Sequence, residues 1–313
     1  MKQRIFRLAQ LGLLLCLGAP AAHAQDQGSG ADPERIHTGR AVAYRQLDAA
    51  SLEKLTTPER LERVAQGGFA PTEIWRALEH GEKVECMKCI PAVSRLLFDG
   101  NGKTREISAW WLRRRIFGVF GPGEVYSRIV QTLGDQTQSE KRRAYAAEAL
   151  GEFLSRAGTP HVARAIVDDA SPTVRLSAVR ALMRLNSAGP QGELAVAIAD
   201  PDESVRLAAI QASTRINVFT DVDVLAARID DPSSTVRVSA IEALGALGAR
   251  DAVVALIAKL SPGSESVASV RAAAAAALGQ LADAQARAAL TSAQSDDPDR
   301  FVRDAARVAL RRL

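Results

Sequence analysis

The sequence is poor in the residues that most often carry out chemistry or hold cofactors. It has four histidines and three cysteines in 313 residues, and His23 and Cys16 fall within the first 24. The remaining cysteines, Cys86 and Cys89, form one C-x-x-C pair with no second pair, so a four-ligand Cys/His zinc centre is short of ligands. Ile90 follows Cys89 where covalent haem attachment needs histidine, which removes c-type haem. His37, His80 and His161 are each followed by a residue other than glutamate. Aromatic residues are 4% of the chain while hydrophobic residues are 47%, so the core must be built from Ala, Val and Leu, which favours packed helices.

Long apolar runs are also missing. No later segment supplies the ~20 apolar residues that cross a bilayer, and the run Leu11 to Leu17 is far below that length. It follows Lys2, Arg4 and Arg7 and precedes Ala22-His23-Ala24, the order of a cleaved secretory signal, with a mature chain starting at Gln25. Leu15 before Cys16 is too bulky for a lipidation site. Removing residues 1–24 takes three of the 40 basic residues and none of the 36 acidic ones, leaving 37 against 36. The basic balance of the whole chain belongs to the leader, and a nucleic-acid partner loses its support. The expected location is the periplasm or outside the cell, where Cys86 and Cys89 are readily oxidised.

Against these absences stands a repeat. Arg105, Arg143, Arg175, Arg206, Arg237, Arg271 and Arg303 are spaced by 38, 32, 31, 31, 34 and 32 residues. Val precedes the last five, whereas Thr104 and Arg142 precede the first two. Six residues before the arginine stands an acid: Asp99, Asp169, Asp200, Asp231, Glu265 and Asp297, with Thr137 breaking the rule in the second unit. Val174, Ala178, Ala181 and Leu182 share one face of a helix predicted over 173–185, behind a short helix over 163–167 and a turn. The same frame predicts second helices over 204–216, 235–247, 269–281 and 301–313. Pro201, Pro232 and Pro298, five residues before an anchor, are expected to open these helices. A stack of such hairpins buries faces that no single unit could bury. A carboxylate repeated sixfold serves that stack, capping a helix start and pairing with a neighbouring arginine, rather than a catalytic centre.

The phrases DDPSSTVRVSAIEALGALG (230–248) and ADPDESVRLAAIQA (199–212) resemble HEAT-like repeats, most closely the short variety of about thirty residues named for phycobilisome lyases. The resemblance covers about residues 84–313 and implies an all-α, right-handed superhelix of about seven helical hairpins. Deoxyhypusine hydroxylases share the repeat type and carry a di-iron centre on His-Glu pairs, which this sequence lacks. No chromophore-handling motif of the lyases is recognisable either. The expected organisation is a signal at 1–24, a mobile segment at 25–45, a helical cap at 46–83 with helix starts at Thr57-Pro58 and Pro71, and the array at 84–313.

Two features lie outside the repeat's own needs. Cys86-Met87-Lys88-Cys89 reads first as a local disulfide opening a helix over 90–98, which restricts the unfolded chain by about 2 kcal/mol; a redox or partner-linked pair, and a metal ligand or free thiols, stay open. Trp110-Trp111-Leu112-Arg113-Arg114-Arg115 places Trp111 where other repeats hold core alanine and turns Trp110 away from that layer, either towards a partner or under the cap. Five and nine residues after the anchors stand Trp110/Arg114, Glu148/Glu152, Arg180/Arg184, Gln211/Arg215, Glu242/Ala246, Ala276/Gln280 and Val308/Arg312. Each pair shares a helix face, and stacking at ~10 Å per layer lines them into a strip about 60 Å long on the inner side of the curve. Partner binding is expected between Trp110 and Glu242. The sequence therefore reads as an exported, non-enzymatic adaptor without a cofactor, binding a periplasmic protein along that strip. The rival is a redox accessory protein using Cys86 and Cys89 or docking on an electron-transfer complex.

Overall fold

The computed structural model describes residues 57–313 apart from 83, 188, 217 and 218. The expected signal, the segment 25–45 and the cap as far as residue 56 lie outside the described residues. Among the described residues there are sixteen α-helices and no strand. Helices α1 (Pro58–Ala65) and α2 (Pro71–His80) form the cap, and both begin on proline, whose missing N–H costs nothing in a first turn.

Seven hairpins follow. They pair α3 (Cys89–Arg95) with α4 (Gly102–Arg114), α5 (Gly123–Gly134) with α6 (Glu140–Glu152), α7 (Thr159–Asp168) with α8 (Pro172–Leu185), and α9 (Gln191–Ile198) with α10 (Glu203–Arg215). The last three are α11 (Val222–Ala226) with α12 (Ser234–Ala246), α13 (Val253–Ala258) with α14 (Ala268–Leu281), and α15 (Arg287–Asp296) with α16 (Arg300–Leu310). The even-numbered helices pack on one another more closely than the odd-numbered ones do from α5 onward, so they form the inner layer of an αα superhelix.

The repeated small residues explain that closeness. Val174, Val205, Val236, Val270 and Val302, and the alanines three and six residues after the anchors, are buried. A Cβ on Gly151 would lie 2.7 Å from the Ala181 Cα, and one on Gly279 would lie 2.7 Å from the Ala309 Cα. At these contacts backbone meets backbone, and only glycine and alanine fit. Helix α4 faces the cap instead of a preceding hairpin, and its equivalent alanine is replaced by the fully buried Trp111.

The anchor arginines and the acids form a ladder along the stack. Arg143 donates from Nε and Nη2 to Asp169, at 2.7 and 2.9 Å, and Arg175 binds Asp200 in the same two-pronged way at 2.6 and 2.8 Å. Arg206 reaches Asp231, Arg237 reaches Glu265 and Arg271 reaches Asp297. Each arginine therefore grips the acid of the following repeat. Its remaining nitrogen serves its own turn: Nη1 of Arg206 donates to the carbonyls of Asp200 and Pro201, and Nη1 of Arg271 to those of Glu265 and Ser266. Burial alone would push the carboxyls of Asp169, Glu265 and Asp297 up, but hydrogen bonds from the arginines and from a backbone amide outweigh it and hold all three below the usual range.

Two expectations need correction. The ladder acids do not cap helices: each accepts the amide two residues on, and Asp202, Ser233 and Asp299 are the caps. The prolines at 201, 232 and 298 precede those caps, so they belong to the turn, where their carbonyls accept from the anchor arginine. Pro172, three residues before its anchor, is the one that opens its helix.

Candidate functional site

The positions five and nine residues after each anchor fall one turn apart on the inner helices α4 to α16. Arg180, Gln211 and Glu242 are exposed at the first position, as are Arg114, Arg184 and Arg215 at the second. Trp110, Glu148 and Glu152 are half-buried. Ala276, Val308 and Ala246 are exposed too and carry no polar group.

Several of these side chains are engaged with one another across layers, which the sequence did not reveal. Glu152 binds Arg184 at 2.5 Å, joining α6 to α8, and Arg215 approaches the Met183 sulfur at 3.8 Å, joining α10 to α8. Arg114 pairs with Glu85 at 2.8 Å, so its charge is directed to the segment between the cap and α3. Arg180, Gln211 and Glu242 have no side-chain hydrogen bond or ion pair among the described residues. The exposed Arg114–Glu85 pair contributes about 0–1 kcal/mol, so a partner can exchange it at little cost.

The strip carries a cavity where Thr137 breaks the ladder. With no acid there to grip, Arg105 keeps its carbonyl contacts to Asp99 and Gly100 but turns Nε onto Glu148 at 2.8 Å and stacks 3.8 Å above the Tyr145 ring. Beside it a cavity of about 490 Å³ opens between α4, α6 and α8. Glu152, at its wall, has its carboxyl pushed up by burial; Arg184 opposes this, and the Glu106 and Glu148 carboxylates reinforce it.

Trp110 packs partly against the core, and Trp111 donates from Nε1 to the Gly81 carbonyl at 2.9 Å. Arg115 is wholly buried. Its guanidinium lies 3.6 Å over the Trp111 ring and donates to the carbonyls of Gly81, Glu82, Val84 and Trp111. Burial pushes it down to about 10, so it stays charged at neutral pH. The available signal was spacing: Arg115 lies four residues after Trp111 and so shares its buried face. A π-helical turn over Arg115–Val119 starts at this point.

Cys86 and Cys89 are joined by a disulfide with Cα atoms 5.3 Å apart, and both are buried beneath the cap. Glu62 brings a carboxylate near them, the three ligand atoms lying within 4.8 Å of one another. Sulfurs bonded to each other offer no thiolate, so metal binding there would require prior reduction. No helix among the described residues is long and apolar enough to cross a membrane.

A family model described as HEAT repeats matches residues 127–214, 159–234 and 222–311. No curated protein matches the sequence. Among solved structures, YibA of E. coli is 18% identical, with a TM-score of 0.55 over 90% of this chain and 99% of that one. Kap95p, in a structure describing how its binding switches the loops of RanGDP, is 14% identical, with a TM-score of 0.64 over 86% of this chain and 43% of its own. Human deoxyhypusine hydroxylase is 23% identical over 83% of this chain and 96% of its own, at a TM-score of 0.36, too low to bear on fold or activity.

Proposed function

The chain belongs to the HEAT-repeat family, and on that premise we propose that it is an exported scaffold that binds a periplasmic protein along the concave strip from Trp110 to Glu242. The observation that carries this is the strip itself: Arg180, Gln211 and Glu242 present polar groups that no side chain among the described residues uses, on the inner layer of the superhelix. Kap95p, which shares the fold, binds RanGDP and switches its loops. A binding role is favoured over a catalytic one because five of the six repeated acids are gripped by anchor arginines. Export rests on the leader-like order of residues 1–24.

Site-specific photo-crosslinking in the native host tests both parts. A crosslinking residue at Gln211 or Glu242 is expected to trap one defined protein, and one at the outward-facing Val196 or Val254 is not. Equal trapping from both faces overturns the strip. Recovery of the chain from the cytoplasm with its leader intact overturns export.

A further inference from the structure

The charges around the cavity between α4, α6 and α8 do not balance. Its three carboxylates each have a cation of their own: Glu106 pairs with Lys103 at 2.8 Å, Glu148 with Arg105 at 2.8 Å and Glu152 with Arg184 at 2.5 Å. Arg180 is the fourth cation of the lining, exposed and without an ion pair among the described residues. Arg184 stands one turn beyond it on the same face of α8 and commits only Nη2 to Glu152. Asn101, the N-cap of α4, and Gly102, its first residue, also line the cavity, and the Asn101 Oδ1 accepts from the Lys103 and Thr104 amides. A volume of about 490 Å³ lies in the range of sites that enclose a small molecule or an anchoring side chain.

This site arises from a local exception to the repeat. Arg143, Arg175, Arg206, Arg237 and Arg271 are occupied by ladder acids, and only at Thr137 is the acid missing and an anchor arginine turned into the strip. We infer that the cavity takes a carboxylate of the bound protein, from an Asp or Glu side chain or from a chain terminus, with Arg180 as its partner and Arg184 beside it. The inference rests on the binding role proposed above and names the chemistry by which that strip recognises its occupant. Planar guanidinium forks suit a carboxylate better than a neutral amide, and a charge-assisted hydrogen bond is stronger than a neutral one.

The test is selection of peptides against the full chain from two displayed random libraries, one ending in a free carboxylate and one amidated. Selected peptides are expected to carry an acid whose replacement by Asn or Gln weakens binding by about tenfold or more. Arg180→Gln should weaken the acidic peptides by a similar factor and leave their neutral analogues unaffected. Enrichment in the amidated library assigns the carboxylate to a side chain, and enrichment confined to the free-ended library assigns it to a terminus. Peptides without an acid, or acidic peptides indifferent to Arg180→Gln, overturn the inference. If such indifferent peptides still block crosslinking from Gln211 and Glu242, the scaffold role stands without this pocket. If neither library yields a binder, the inference falls, and crosslinking alone decides the scaffold role.

Discussion

Replacing Arg271 by methionine isolates one rung of the ladder. Arg271 is 3% exposed, and its fork makes bonds of 2.7 and 3.0 Å to Asp297, whose side chain is 1% exposed. Arg271→Met keeps most of the stem's packing, removes this fork and leaves a carboxylate that retains only the Asp299 amide at 2.8 Å. Breaking a buried pair on one side costs about 3–5 kcal/mol, a large part of the 5–15 kcal/mol that holds a typical domain together. Removing both charges in Arg271→Met/Asp297→Leu should cost less than the single change, because no uncompensated ion remains. Asp297 is held below the ordinary carboxylate range in the native state, so its contribution is present above the unfolded value near 3.9 and is lost as pH falls through the lower folded value. In Arg271→Met that carboxyl titrates higher, and protonation relieves the defect. The penalty should therefore be largest at pH 7 and shrink towards pH 4. Because repeats open locally, the readout is hydrogen exchange of amides in α14 to α16 combined with urea unfolding. A single-mutant loss under about 1 kcal/mol, a double mutant worse than the single, or a penalty flat with pH would refute the ladder's role.

Gly279→Ala improves helix propensity by about 1 kcal/mol but places a methyl 2.7 Å from the Ala309 Cα, where overpacking costs about 1–3 kcal/mol. The melting temperature should fall, whereas Gly192→Ala, which meets nothing within 4 Å, should raise it. A rise in both would show that the inner helices have room to part. Arg115→Met orphans the carbonyls of Glu82 and Val84, while that of Gly81 keeps Trp111 Nε1, and should loosen the cap by about 3 kcal/mol. Limited proteolysis should then cut between α2 and α3 while the array from α7 onward stays protected. Unchanged cleavage would mean that the buried guanidinium does not hold the cap.

The inner helices were legible because their signal is repeated: a valine before the anchor recurs in five units and alanines three and six residues after it in six. Predicted and observed second helices differ by at most three residues at their ends. The direction of the ladder was not legible. Whether Arg206 grips Asp200 or Asp231 depends on the distance between layers, which no single repeat encodes, and the answer is the acid 25 residues ahead. Arg115 escaped notice because its partners are backbone carbonyls, which every sequence supplies and none advertises. The strip was legible as a face, since five-and-nine spacing is simple helix geometry, but not as a set of contacts. Glu148 was grouped with free polar residues although Arg105 holds it. With Thr137 standing where an acid would be, Arg105 pairs with Glu148 on the inner face instead. In a chain whose repeated residues all serve the stack, the place where the pattern fails is where a side chain is released for something else. Thr137 was visible in the sequence as that failure, and its consequence, a cavity with one cation unmatched, needed the neighbouring layers to be seen.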